Sequence, residues 1–139
     1  MCLILSDPHE AEEVAQEAFA IVWERWDRVA QMESPAGYAF TVAINVSRRR
    51  FRRVLFARKH VQPSPTQDEF ERVENEDEAS RALSSLPRQQ RTALILTSYL
   101  GYSSEEAATI LAIKASTVRV LTSRARSTLR ATIAEQRHE

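Results

Sequence analysis

A single cysteine, Cys2, stands in a chain of 139 residues, which excludes an internal disulfide and with it a disulfide-stapled secreted scaffold. Only two glycines and five prolines occur, and there is no extended alternation of apolar and polar residues. Hairpins and strands therefore have little to build on, and the expected fold class is all-α. No apolar run approaches the roughly 20 residues that cross a bilayer. The opening MCLIL is too short and lacks the basic flank of a signal peptide, so the expectation is a cytoplasmic protein without membrane insertion. His9, His60 and His138 are scattered, with no neighbouring Cys or Asp at metal-ligand spacing. No glycine-rich phosphate loop or nucleophile elbow is present, so no metal, cofactor or enzymatic activity is expected. Net charge is zero, so bulk electrostatics does not single out nucleic acid as a partner.

What is present is strongly patterned. Residues 1–34 sum to −6, 35–60 to +7, 61–80 to −6 and 81–139 to +5, and binding has to be judged segment by segment. An apolar fraction of 43% is that of a globular protein holding one ordinary domain or two small ones.

The stretch from Leu83 to Leu129 reads as two amphipathic helices followed by a helix-turn-helix. Ser103 or Ser104 can cap a helix whose first turn carries Glu105 and Glu106, where carboxylates complement the helix dipole. Ala107, Ala108, Ile110 and Leu111 give it a narrow apolar face. After a tight connection at Ala112 to Lys114, Ala115 or Ser116 opens a second helix, with Val118, Leu121, Ala125 and Leu129 at helical spacing. Its other face carries Thr117, Arg119, Thr122, Ser123, Arg126 and Arg130. Arginine pairs with guanine edges or phosphates, and hydroxyls bond to either, so this face suits duplex DNA better than it suits mere solvation.

The first half holds two helices of different character. Asp7 and Pro8 form a cap and first-position pair, followed by Val14, Ala15, Ala18, Phe19, Val22, Trp23 and Trp26 as an apolar stripe on an acidic helix. Trp23 and Trp26 are either buried in this half or form an exposed apolar patch for a partner. Ser34 and Pro35 start a second helix, with Tyr38, Val42, Ala43 and Val46 on its buried side. Arg48, Arg49, Arg50, Arg52 and Arg53 crowd its end. Cations there favour the helix dipole, but five arginines around Phe51 exceed what a cap requires and suggest a phosphate-binding surface. Between the halves, Pro63, Ser64 and Pro65 and an acidic run from Asp68 to Glu78 read as a linker that becomes helical towards Ala82. The expected architecture is two small helical domains, residues 1–60 and 82–139, joined by a flexible acidic linker, 61–81, whose carboxylates compete with DNA for the basic surfaces.

AEEVAQEAFAIVWERW, SPAGYAFTVAINVSRRRFRR and LSSLPRQQRTALILTSYLGYSSEEAATILAIKASTVRVLTSRARSTLR, collinear and in this spacing, resemble the extracytoplasmic function (ECF) group of bacterial RNA polymerase sigma factors. The resemblance implies a region 2-like domain, a region 4-like domain and a role in promoter-specific transcription initiation, with catalysis left to the polymerase. It implies core polymerase contacts at Glu13, Gln16, Glu17 and Phe19. It implies downstream promoter contacts at Asn45, Arg48, Arg49, Arg52 and Arg53. Upstream promoter contacts are implied at Ser116, Thr117, Arg119, Ser123, Arg124 and Arg126, with Arg88 and Arg91 holding phosphates. Core RNA polymerase, promoter DNA and an anti-sigma factor are the implied partners.

Three departures accompany the resemblance. The family has further helices before the position of Asp7, where only MCLILS stands, so the first domain reads as shortened. Ala112 occupies a turn that usually has glycine, and alanine is costlier in a left-handed conformation. Val120 and Leu121 stand where a basic residue commonly follows Thr-Val-Arg, a loss of about 1–3 kcal/mol if that group met a base. Two other readings share these residues: a plain helix-turn-helix repressor confined to 82–139, and a truncated sigma-like protein that occupies polymerase or an anti-sigma factor without starting transcription.

Overall fold

The computed structural model describes residues 4–5, 7–60 and 78–138, and among them there are helices and turns but no strand. Cys2 and the acidic stretch 61–77, with the expectation of a flexible tether, lie outside the described residues.

Helix α1 (Pro8–Glu24) begins where the Asp7 carboxylate accepts the backbone N–H groups of His9 at 3.0 Å and Glu10 at 3.5 Å. Proline at the first helical position has no N–H to leave unpaired. A short α2 (Trp26–Val29) follows. Helix α3 (Pro35–His60) starts with the Ser34 hydroxyl accepting the Gly37 N–H at 3.1 Å. It continues past the arginine run, since no glycine or proline interrupts residues 54–60. In the second half come α4 (Glu78–Ser84) and α5 (Arg88–Leu94), the latter running into a widened π-type turn, Ile95–Tyr99. Helices α6 (Ser104–Leu111) and α7 (Ala115–His138) complete the chain.

The turn between α6 and α7 explains how alanine replaces glycine. Ala112 is left-handed, at φ 57° and ψ 44°. Its N–H bonds to the Thr109 carbonyl at 3.4 Å, and the Ile113 N–H bonds to the Ala108 carbonyl at 3.1 Å. This is the Schellman pattern, and Ile113 packs with Ala108 in the same apolar cluster, as that motif favours. Closure of orphan carbonyls and burial of Ile113 offset the roughly 1–2 kcal/mol that a left-handed non-glycine residue costs. At the other end of α6, Ser103 and Glu106 form a reciprocal capping box.

Helix α3 organises the core because it is apolar on two sides. Val42, Ala43 and Val46 pack with Ala11, Val14, Ala18 and Val22 of α1 and Val29 of α2. Ile44, two positions and therefore ~200° around the helix from Val42, packs instead with Ala93, Leu96, Ala107, Ala108, Ile110, Leu111 and Val118 of the second half. Phe40, on the Ile44 side, meets Tyr102 edge to face at 6.1 Å. Ile95 returns the exchange by joining the first cluster. The two halves thus pack against each other directly. Fully buried Val14, Val46, Leu96 and Val118 each contribute roughly 1.5–3 kcal/mol of apolar transfer.

The stripe expected on α1 divides. Val14, Ala18 and Val22 are buried, whereas Phe19 and Trp23 are 68% and 77% exposed and Trp26 is 47% exposed. The buried face of α1 is Ala11, Val14, Ala18 and Val22; Phe19 and Trp23 lie one position beyond that row, and Trp26 falls after the break at Arg25. Thr122, expected on the polar face of α7, is buried and bonds back to the Arg119 carbonyl at 3.0 Å.

Candidate nucleic-acid interface

Helix α7 separates its residues cleanly. Val118 and Ala125 are fully buried, while Ser116, Thr117, Arg119, Val120, Ser123, Arg124 and Arg126 are all exposed. Ser116, Val120, Ser123 and Arg124 recur at i, i+4, i+7 and i+8 and form one solvent-facing row. Leu121 packs inward with the second cluster, so the departure from a basic residue concerns Val120 alone on the outer face. Arg119 pairs with Glu105 of α6 at 3.2 Å in an exposed contact, and Arg126 bonds to the Ser98 hydroxyl at 3.1 Å. Both are surface interactions of small worth and exchange readily for phosphate.

On α3, Asn45, Arg49, Arg52 and Arg53 are exposed. Asn45, Arg49 and Arg53 follow an i, i+4, i+8 row and form a second polar, basic face. The neighbouring arginines are used inside the protein. Arg48 is half-buried and donates to the Leu111 carbonyl at 2.9 Å, capping the negative end of α6. Arg50 is held by Glu13 at 2.6 Å and Glu17 at 3.2 Å. The Glu13 hydrogen bond is the main reason its pKa is raised, against a smaller lowering by burial, with Glu17 adding to the rise.

Arg88 and Arg91 also turn inward. Arg88 donates to the buried Ser47 hydroxyl and lies over the Phe51 ring, 5.4 Å from its centroid. Burial lowers its pKa, Glu10 opposes that and Arg48 adds to it. Arg91 is only 7% exposed. Its Nε donates to the Ile4 carbonyl at 2.8 Å and its Nη1 to the Leu86 carbonyl at 3.5 Å. Burial, and then the Arg88 charge, lower its pKa. Arg91, expected to hold a phosphate, is buried here, and its guanidinium ties the N-terminal segment to the second half. Arg48 and Arg88 each spend one N–H on an internal partner and keep their other donors.

The residues expected to meet polymerase lie on α1. Glu13 and Gln16 are exposed and Glu17 is half-buried. Gln16 bonds to Glu12 at 3.4 Å. Exposed Phe19 and Trp23 join Trp26, Pro35, Ala36 and Ala39 along an open apolar groove. An acidic row beside an exposed aromatic groove is a surface suited to a protein partner with basic and apolar groups. The sequence alone leaves Trp23 and Trp26 ambiguous; Trp23 is exposed through its one-position offset from the buried row of α1, and Trp26 stands beyond the break at Arg25, at the start of α2. No described helix is long and apolar enough to cross a membrane.

The family model for Sigma-70 region 2 matches residues 2–54, and that for Sigma-70, region 4 matches residues 76–129. Over 144 aligned positions the chain is 30% identical to the probable RNA polymerase sigma factor RfaY of Xanthomonas campestris pv. campestris, an alignment covering 91% of this chain and 35% of that protein. The chain therefore spans about a third of the length of the curated relative it matches. Among solved structures it is similar to the sigma factor RpoE of Bartonella quintana, solved in complex with the anti-sigma factor NepR. That likeness has a TM-score of 0.74 and 26% identity, over 96% of this chain and 86% of that one.

Proposed function

The chain belongs to the sigma-70 family, in its extracytoplasmic function group, and from that membership we propose that it binds core RNA polymerase and directs initiation at particular promoters. The family is not an enzyme class, and catalysis is assigned to the polymerase. The proposed place of action is the cytoplasm, where polymerase and DNA are found.

The observation that carries the proposal is the solvent-facing row on α7, opposite a fully buried Val118 and Ala125. In the proposed mechanism Ser116, Thr117, Arg119, Ser123 and Arg124 read the upstream element in the major groove, and Arg126 binds phosphate. Asn45, Arg49, Arg52 and Arg53 engage the downstream element, where guanidinium groups favour the exposed phosphates of separated strands. Arg48 and Arg88 join them through the donors that their hydrogen bonds to Leu111 and Ser47 leave free. Glu13, Gln16, Glu17 and Phe19, with Trp23, form the polymerase-docking surface, an aromatic anchor with a polar rim. The proposed domains are residues 1–60 and 82–139, with 61–81 between them.

A second reading is a sigma-like protein that occupies polymerase or an anti-sigma factor without starting transcription. The inward use of Arg48, Arg88 and Arg91 favours it. Formation of a heparin-resistant complex by core polymerase plus this chain on promoter DNA tests the first reading. Core binding with no such complex on any promoter-length fragment supports the second.

A further inference from the structure

Between the halves lies a cavity of about 280 Å³, close to the size at which small-molecule pockets begin, roughly 300 Å³. Its lining is of two kinds. Ile44, Leu111 and Leu121 give it an apolar floor, while Arg48, Arg52 and Arg88 stand along its rim, and no carboxylate is among its described lining residues. Arg48 gives one N–H to the Leu111 carbonyl and Arg88 one to the Ser47 hydroxyl. A guanidinium has five donors, so both keep others for a ligand. Arg52 has no hydrogen bond or ion pair with another described residue. Burial of Arg88, which Glu10 opposes in part and the smaller repulsion from Arg48 adds to, is relieved by an anion placed between the two guanidinium groups.

We propose that this cavity binds a small organic anion, its carboxylate or phosphate head held by Arg48, Arg52 and Arg88 and its apolar body lying against Ile44, Leu111 and Leu121. The arginines come from α3 and α5 and the floor from α3, α6 and α7. The anion therefore binds the packed arrangement of the two halves and stabilises it by mass action. The site shares Arg48, Arg52 and Arg88 with the proposed downstream DNA contacts, so the anion and DNA compete for them, but the binding test uses the chain without DNA or polymerase.

The test is calorimetric titration of the full chain with octanoate, beside 1-octanol and inorganic phosphate. The expected result is saturable one-to-one binding of octanoate, weaker binding of both controls, and a rise in the unfolding midpoint with octanoate. Arg52→Gln removes one charge-assisted contact without touching an internal hydrogen bond and is expected to weaken binding about tenfold. Leu121→Gln places a polar group on the floor and is expected to weaken octanoate more than phosphate. Circular dichroism confirms that each variant is folded. Equal binding of 1-octanol and octanoate, phosphate binding as tight as octanoate, or unchanged octanoate binding in folded Arg52→Gln overturns the proposal.

Discussion

Replacing Arg91 by methionine separates an internal tie from a DNA contact. Methionine keeps much of the apolar stem and removes every donor. The Nε bond to the Ile4 carbonyl at 2.8 Å is a buried hydrogen bond to a charged group, worth about 1.5–3 kcal/mol, while the 3.5 Å contact to Leu86 adds little. Releasing a desolvated guanidinium offsets part of the loss, leaving a destabilisation of about 1–3 kcal/mol. For a chain of this size that is a fall in Tm of about 3–15 °C. The assay is thermal unfolding followed by circular dichroism, paired with DNA affinity across a salt series. An internal tie predicts the lower Tm and an unchanged salt slope. An unchanged Tm, together with a salt slope reduced by about 0.9, the amount of one phosphate contact, refutes the reasoning.

Ala112→Gly removes the left-handed penalty and is expected to stabilise the chain by about 1 kcal/mol, raising Tm by about 3–5 °C, provided the Schellman turn is as described; a lower Tm contradicts it. The Glu106 pKa is lowered first by its bond from the Ser103 backbone N–H and then by the Ser103 side chain. A depressed folded pKa means stability present above the ordinary carboxylate range and lost as pH falls through the folded value. Glu106→Gln is therefore expected to make this cap insensitive to pH, so that urea midpoints of the variant and the parent converge as pH is lowered. Trp23→Ala is expected to leave Tm unchanged and to weaken core polymerase binding by about 2 kcal/mol, measured by fluorescence anisotropy. Arg124→Ala is expected to cost about 1–3 kcal/mol at a preferred upstream sequence and little on random DNA, read by competition binding.

The helices and their caps were legible in the sequence because their signals are local. Asp7 with Pro8, Ser34 with Pro35, and Ser103 with Glu106 each satisfy orphan N–H groups through side chains within three residues. The apolar row of α7 was legible for the same reason, since Val118 and Ala125 repeat at helical spacing. What the sequence did not disclose is which of two apolar rows on a helix is taken by its neighbour. On α3 both are taken, by α1 and by the second half. On α1 only one is, which leaves Phe19 and Trp23 outside. The same limit applies to the arginines. Composition groups Arg48 to Arg53, yet the helix sends Arg53 to solvent, leaves Arg49 exposed within 4.0 Å of Glu17, and sends Arg50 to Glu13 and Arg48 to the end of α6. Arg91 looked like a surface cation because nothing local records that Ile4, 87 residues away, presents its carbonyl there.

The most direct measurement is run-off transcription on fragmented genomic DNA with purified core polymerase, with and without the chain, followed by mapping of transcript 5′ ends. The account predicts transcripts that depend on the chain, share an upstream and a downstream element, and are lost when Arg49 and Arg124 are replaced by alanine. Core binding with no chain-dependent start sites would contradict it.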